Sequence, residues 1–320
     1  MVKTDNKTLL FEDNKPYYSL DKYFKNKYGA KVFKVPLNAG FTCPNIDGTK
    51  GVGGCTYCSA SGSGDFAGNP EKSPMTQFNE VVEMLHKKWK TTTLYMPYFQ
   101  AHTNTYAPIE VLKNTFQQFL GIEGVVGIDI ATRSDALNDE NLSYLEELNN
   151  KTDLVVELGL QSVYDETGDR INRCMTYKEF LQGYNELKKR NIKVCVHLID
   201  GLPGETKEMM IQSAKTVASL KPDFIKLHLL HVIKGTAMAS EYEQGKFQTL
   251  TMEEYVDIII KQLEVLPPNT VVARLTGDGK RSELISPLWS LKKFEVLNTI
   301  ENEMRRRNTY QGRLYECNNL

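Results

Sequence analysis

No uninterrupted apolar run in this 320-residue chain approaches the ~20 residues that a membrane-spanning helix needs, so no membrane partner is expected. Charge of one sign is lacking as well. The 39 lysines and arginines meet 40 aspartates and glutamates, for a formal net charge of −1. That balance neither requires nor forbids a nucleic-acid partner, because binding depends on local basic patches. The stretch from Met1 to Lys15 has no apolar core for export, and the expected location is the cytoplasm, where thiols stay reduced. Internal repeats and low-complexity segments are also missing, so the chain reads as one domain with terminal additions. Its 41% hydrophobic content suffices for one large barrel or two modest domains.

Cysteine is scarce but concentrated. Three of the six cysteines, Cys43, Cys55 and Cys58, fall within sixteen residues, and the last two form a CxxC. Gly48, Gly51, Gly53, Gly54 and Pro44 forbid a regular helix or strand there, which makes the stretch a metal-binding loop. A structural zinc site needs a fourth ligand such as His86 or His102, neither at the spacing usual in zinc modules. Three buried free thiols would need no glycine-rich loop. The third reading is an iron–sulfur cluster, in which three thiolates on four irons leave one iron open for chemistry. Cys174, Cys195 and Cys317 are scattered and read as free thiols.

The loop resembles the cluster loop of the radical S-adenosylmethionine (radical SAM) enzymes. The usual family spacing is Cx3CxxC; here eleven residues separate Cys43 from Cys55. This is similar to a branch containing the catalytic subunit of Elongator and, more distantly, oxygen-independent coproporphyrinogen oxidase. Tyr57 matches the aromatic that the family favours before the last cysteine. The resemblance implies a [4Fe–4S] cluster and S-adenosylmethionine (SAM) as cofactors, with SAM chelating the open iron and cleaved reductively to a 5′-deoxyadenosyl radical. It also implies a flavodoxin- or ferredoxin-type electron donor.

From Lys31 onward short β-rich runs alternate with helical stretches. The predicted strands are Val32–Leu37, Thr92–Phe99, Val125–Ala131, Leu154–Leu160, Val194–Ile199 and Phe224–Leu230. Between them lie predicted helices at Gln77–Lys90, Ile109–Leu120, Glu140–Leu148, Lys178–Lys189 and Glu205–Ser219, with Met252–Leu266 and a short strand at Val271–Ala273 beyond. The alternation indicates an α/β fold of parallel βαβ units. The count matches the family's partial (β/α)6 TIM-like barrel, whose site lies at the C-terminal ends of the strands. The expected division is an N-terminal basic and aromatic extension over 1–30, a core barrel over 31–235 and an α-rich region over 236–320 that completes the barrel.

Several strand ends carry residues that the resemblance assigns to SAM. Glu157-Leu158-Gly159-Leu160-Gln161-Ser162, followed by Asn172-Arg173, is similar to the family element in which the glutamine approaches the ribose and the arginine the carboxylate; a guanidinium fork suits a carboxylate. For Gln161 a role in the turn, and for Arg173 a surface ion pair, are the plain alternatives. Asp129 could receive the SAM amino group, or pair with Arg133. Thr103 and Asn104 stand where the usual Gly-Gly-Glu-type element is missing, and offer oxygens to the same group. His197-Leu198-Ile199-Asp200-Gly201-Leu202-Pro203-Gly204 resembles the family's turn after strand five, with His197 following the Elongator-like pattern. Arg274–Gly279 is a glycine-containing loop with the adenine as its candidate ligand.

Strand parity adds a reading from the residues alone. If Val194, Val196 and Leu198, and likewise Ile225, Leu227 and Leu229, face the helices, then Cys195, His197, Lys226 and His228 face the barrel interior with Glu157. Barrel interiors are normally branched aliphatics, so His197, Lys226 and His228 are the candidate catalytic groups of a polar substrate cavity. A self-satisfied hydrogen-bond network is the alternative.

The Elongator-like branch implies modification of the C5 substituent of wobble uridine in tRNA, although the remaining length is too short for an acetyltransferase domain. Residues 16–34 interleave aromatics with Lys22, Lys25, Lys27, Lys31 and Lys34, a pattern able to stack bases and meet phosphates. The same pattern also describes an amphipathic helix that lays Tyr23, Phe24 and Tyr28 on the core. Arg305-Arg306-Arg307 is the other basic cluster, and a charge run is usually a solvated face. A small metabolite as substrate, and a noncatalytic zinc- or cluster-bearing RNA-binding protein, are the alternatives.

Overall fold

The computed structural model describes residues 15–62, 64, 66–88 and 93–316. The readings of residues 1–14, Lys90, Thr92 and Cys317 fall outside them.

Six strands, β1 (Val32–Leu37), β2 (Leu94–Phe99), β3 (Gly127–Thr132), β4 (Asp153–Gln161), β5 (Lys193–Asp200) and β6 (Phe224–Leu229), follow the predicted order. They alternate with α2 (Pro74–Lys88), α3 (Ile109–Phe116), α4 (Asp139–Asn149), α5 (Asp165–Arg170), α6 (Tyr177–Lys189) and α7 (Lys207–Ser219), after a first helix α1 (Leu20–Tyr28). A short pair, β7 (Val232–Ile233) with β9 (Leu284–Ser286), is antiparallel and separate. α8 (Ala237–Glu243), α9 (Met252–Val265), β8 (Val271–Arg274) and α10 (Lys293–Arg306) complete the described elements. The main sheet runs β1-β2-β3-β4-β5-β6-β8. This is the strand order of a partial (β/α)6 TIM-like barrel, lengthened by the short strand expected at Val271–Ala273.

The chain divides into two compact units. One consists of Phe24–Gly159 with Ile171–Cys195. Its strands pair in parallel, with Val32 opposite Leu94, Tyr98 opposite Asp129 and Gly127 opposite Asp153. All six residues of β3 are buried, as expected for a parallel strand covered on both faces. Phe99 packs edge-on against Phe116 at 4.7 Å and Phe119 at 5.7 Å between ring centroids. Each such ring removed from water contributes about 1.5–3 kcal/mol. α6 opens with a capping box between Thr176 and Glu179. Along it, Gly183 lies so close to the Ser134 carbonyl that a Cβ there would overlap it. In α1, Phe24 is buried and Lys27 and Tyr28 reach Asp153 at the start of β4.

The other unit comprises the described parts of Met1–Tyr23 and Val196–Leu320, with Leu160–Arg170. Ser19 bridges Val272 in parallel, and the Val272 N–H donates to the Tyr18 carbonyl at 2.8 Å. Gln311, fully buried, accepts from the Tyr18 N–H at 2.9 Å and donates to the carbonyls of Pro267 and Thr270. Tyr23 meets Phe224 edge-on at 5.0 Å. Tyr23 and Phe24 therefore serve packing, as the amphipathic-helix reading has it. Lys34 departs from both readings, because it lies on β1 and faces carboxylates.

The Arg305–Arg307 cluster ends α10 and is neutralised locally. Arg306 and Arg307 both pair with Glu303, Arg307 also with Asp257 at 2.5 Å, and Arg305 with Glu301 at 3.5 Å. Within this unit no helix is long and apolar enough to cross a membrane, and the same holds for all described residues.

Candidate active site

The loop after β1 is shaped by backbone hydrogen bonds that a helix or strand would not allow. The N–H of Ile46 donates to the Cys43 carbonyl at 2.8 Å, and those of Lys50 and Gly51 both donate to Pro44 at 2.8 and 3.2 Å. Gly48, Gly53 and Gly54 hold φ of 91°, 81° and 76°, which only glycine adopts without strain. The Cys58 N–H closes the CxxC onto the Cys55 carbonyl at 2.9 Å. Gln77 of α2 anchors the loop's start by bonding both the N–H and the carbonyl of Asn38. Cys43, Cys55 and Cys58 are all half-buried free thiols.

Arg133, at the end of β3, stands behind this loop. Its guanidinium forks onto Asp135 at 2.9 and 2.8 Å and donates to the carbonyls of Arg173 and Cys174 at 2.9 and 3.3 Å. Asp129 pairs with Lys34, so the proposed Asp129–Arg133 pair does not form; β3 separates the two by four residues, and Asp135 lies nearer. Burial works against the Arg133 charge, but Asp135 and the thiols of Cys43 and Cys55 outweigh it and hold the group cationic. Burial pushes the Cys55 thiol up, and Arg133 and Asn45 pull it back. The half-buried Tyr57 phenol, beside Cys55 and Cys58, is pushed well above its usual range by lost hydration and the neighbouring thiols. Lys50, inside the cysteine loop, bonds Asp135 at 3.0 Å and Glu179 at 3.1 Å, so α6 and the β3 end both hold the loop.

The remaining strand-end candidates are each placed distinctly. Thr103 is buried, and its N–H donates to the Thr42 carbonyl of the cysteine loop at 3.2 Å. Asn104 is fully buried and gives its amide to the carbonyls of Phe99, Ala101 and Ala131, leaving Oδ1 without a partner among the described residues. Arg173 is 1% exposed with Nε on the Met175 carbonyl at 2.7 Å, so the surface ion-pair alternative fails. Gln161 ends β4 with φ of 63°. Three other positive-φ residues, Asn191, Lys221 and Asn308, simply end helices, whereas Gln161 ends a strand and His102, Asn172 and Cys174 lie on loops. Such backbone costs a non-glycine about 1–2 kcal/mol, which marks these four as positions that the surrounding structure imposes.

Below the loop, inside the first unit, Lys34 of β1 bonds Asp129 of β3 and Glu157 of β4, the latter at 2.8 Å, and lies 4.1 Å over the Tyr98 ring of β2. Burial opposes its charge, but the two carboxylates hold it above the usual lysine range. Cys195 Sγ lies within 4.8 Å of the Glu157 carboxylate. In the second unit His197 and His228 place their rings 5.1 Å apart, and Lys226 is buried. Parity pointed to residues of β4, β5 and β6 and not to Lys34, although Lys34 alternates with Val35 and Leu37 in the same way. Asn45 and Lys50 carry no local signal, and for Asp135, Asn172 and Glu179 the sequence does not show the distant partners, Lys50 and the cysteine loop, that tie them to the site.

The donor set discriminates between metals. Four zinc–sulfur bonds of about 2.3 Å would bring thiolates to about 3.8 Å from each other. The three loop thiols do not converge within 4.8 Å of one another. His86 Nε2 is engaged by the Tyr95 hydroxyl. Thiols spaced more widely suit a cubane, three of whose irons would each take one cysteine sulfur and leave the fourth open. The unpartnered Asn104 Oδ1 is a buried acceptor at the next strand end, of the kind that an ammonium donor requires.

The sequence matches the Radical SAM superfamily over residues 48–217 and the Radical_SAM C-terminal domain over residues 222–306. It is 48% identical over 302 residues to YtqA of Bacillus subtilis, covering 94% of each chain. Over 156 residues it is 28% identical to the tRNA uridine(34) acetyltransferase of Methanocaldococcus jannaschii, covering 48% of this chain and 28% of that one. Elp3 of the archaeon Methanocaldococcus infernus, with residues 1–46 deleted, shares the fold with a TM-score of 0.68 at 18% identity, covering 88% of this chain and 64% of that one. With its three-cysteine loop set at the end of the first strand of such a fold, the chain belongs to the radical SAM superfamily, enzymes whose cofactors are a [4Fe–4S] cluster and S-adenosylmethionine.

Proposed function

We propose that this enzyme modifies the C5 substituent of wobble uridine in tRNA. The observation that carries the reading is the 156-residue similarity to a tRNA uridine(34) acetyltransferase, together with the long Cys43–Cys55 spacing. Bound at the cysteine loop, the cluster and SAM supply a carbon-centred radical able to take a hydrogen atom from carbon.

The chain's own residues bind, orient and balance charge. Cys43, Cys55 and Cys58 are the metal ligands, and cationic Arg133 offsets their negative charge. Tyr57 covers the CxxC. Asn104 Oδ1, with Thr103 beside it, accepts the SAM amino group. Gln161 would take the ribose of SAM and Arg173 its carboxylate. Asp129 and Glu157 act through Lys34, which fixes their geometry for whatever enters the interior. His197, Lys226 and His228 are the groups for substrate, as the burial of Lys226 and the 5.1 Å ring pair of the two half-buried histidines support. A flavodoxin- or ferredoxin-type protein delivers the electron, and the setting is the cytoplasm.

A small polar metabolite is the second reading. It is favoured by the charged interior layer of Lys34, Asp129 and Glu157, and by the use of the N-terminal aromatics and the Arg305–Arg307 cluster in packing and ion pairs. Mass-spectrometric nucleoside profiling of bulk tRNA, with and without the gene, separates the two. The tRNA reading expects loss of one modified uridine with gain of its precursor. An unchanged profile in cells that express the protein would overturn it in favour of the metabolite.

A further inference from the structure

The cysteine loop is held from outside by the segment Ile171–Met175. The Thr56 N–H donates to the Ile171 carbonyl at 2.9 Å. Asn172 donates from its amide to the carbonyls of Gly54 at 2.7 Å and Val52 at 3.2 Å. Its own carbonyl accepts from Asn45 Nδ2 at 2.5 Å, and the same Nδ2 lies 3.5 Å from Cys55 Sγ. The Gly54 N–H returns to the Asn45 carbonyl at 2.7 Å.

We infer that Asn45 and Asn172 are positioning residues: their amides hold the loop in its liganding shape, and the Asn45 N–H to Cys55 sulfur hydrogen bond sets the one-electron potential of the cluster.

Three features set this pair apart from ordinary loop packing. Asn45 is fully buried, so its amide cannot exchange the sulfur for water. Asn172 holds φ of 53°, a conformation that asparagine tolerates better than other non-glycine residues, and this aims both its side chain and its carbonyl at the loop. A Cβ on Gly51 would overlap Asn45 Oδ1 and lie 2.7 Å from Cys174 Sγ, so glycine is what admits the bridge. Cys174, which the sequence leaves as a scattered thiol, donates to Asn172 Oδ1 at 3.3 Å and completes the clamp. Hydrogen bonds to a ligand sulfur disperse negative charge and favour the reduced, more negative cluster. Their number at Cys55 is therefore a lever on how readily the enzyme accepts its electron.

The test uses iron-reconstituted full-length enzyme under anaerobic conditions, with redox titration followed by electron paramagnetic resonance. At a fixed potential, Asn45→Ala should lower the ratio of reduced to oxidised cluster about two- to tenfold, the range of one lost hydrogen bond; tenfold is about 59 mV for one electron. Asn45→Asp, isosteric and lacking the N–H, should shift the ratio in the same direction, and covers the case in which the alanine variant takes up no iron. Asn172→Gly keeps the left-handed backbone and the carbonyl but removes the amide, and should speed loss of cluster iron to a chelator several-fold with secondary structure unchanged. An unchanged potential in an iron-loaded Asn45 variant, or unchanged iron loss in Asn172→Gly, would overturn the inference.

Discussion

Arg133 illustrates what single residues do here: it forks onto Asp135, caps two carbonyls of the segment that clamps the cysteine loop, and puts a fixed positive charge beside two of the thiols. Arg133→Met should cost about 3 kcal/mol, since Asp135 would stay buried with Lys50 as its remaining cation. Denaturant unfolding of the metal-free protein measures that cost, and a change under about 0.5 kcal/mol, the size of an ordinary surface substitution, would contradict it. Asp200 gives a pH dependence. Burial raises its carboxyl to about 8, against one hydrogen bond from Gln262 at 2.6 Å that favours the charged form. A carboxyl raised on folding keeps its proton in the native state while the unfolded chain loses it. Stability contributed at this site therefore falls as pH rises from about 4 to about 8 and is level above that. Asp200→Asn keeps the acceptor for Gln262 and should flatten the slope; melting temperatures at pH 5, 7 and 8.5 that fall equally in both proteins would argue against this. Glu179 has the opposite sign. The Thr176 cap and Lys50 hold it down at about 2, so its contribution is present above the ordinary glutamate range and is lost as pH falls through about 2. Glu179→Gln preserves the capping box but not the Lys50 pair, and should loosen the cysteine loop, seen as faster iron loss, with little change in melting temperature.

Among the elements, α6 matters most to the site, because it presents Glu179 to Lys50 and packs Gly183 on the turn that carries Asp135. Gly183→Ala would drive a methyl into the Ser134 backbone, which cannot yield as a flexible side chain would. A loss of about 1–3 kcal/mol is expected from such overpacking. A variant with wild-type stability and iron content would show that α6 does not set the site. The elements were largely legible because each strand is a short apolar run and each helix an amphipathic one, so β1 to β6 and α2, α3, α4, α6 and α7 match the periodicity to within a few residues. The start of β3 at Gly127 and not Val125 is a tertiary effect: Gly124 has φ of 77°, and the Tyr95 N–H takes its carbonyl before regular pairing starts. α5 and α8 are too short for periodicity to announce. The clamp on the cysteine loop was invisible for a different reason, since Asn45 and Asn172 stand 127 positions apart and neither residue type is unusual in a loop.

For the whole molecule, the cysteine loop and its strand order identified the family and cofactors from sequence, because thiolate spacing is chemistry written locally. Surface charge did not read out as simply. The basic clusters that suggested RNA are compensated where the structure describes them, with Glu303, Glu301 and Asp257 around Arg305–Arg307 and Asp153 beside Lys27. Removing Arg306 should therefore change the salt dependence of any tRNA binding by less than one counterion, measured as the slope of log affinity against log salt. The central claim is that Cys43, Cys55 and Cys58 hold a catalytic cluster, and one assay tests it most directly. Reconstituted enzyme is mixed anaerobically with dithionite and S-adenosylmethionine, and 5′-deoxyadenosine is quantified beside each cysteine-to-alanine variant. The account expects 5′-deoxyadenosine from the wild type, and its loss together with cluster iron in every variant. Undiminished product from any of the three variants, or none from iron-loaded wild type, would contradict it.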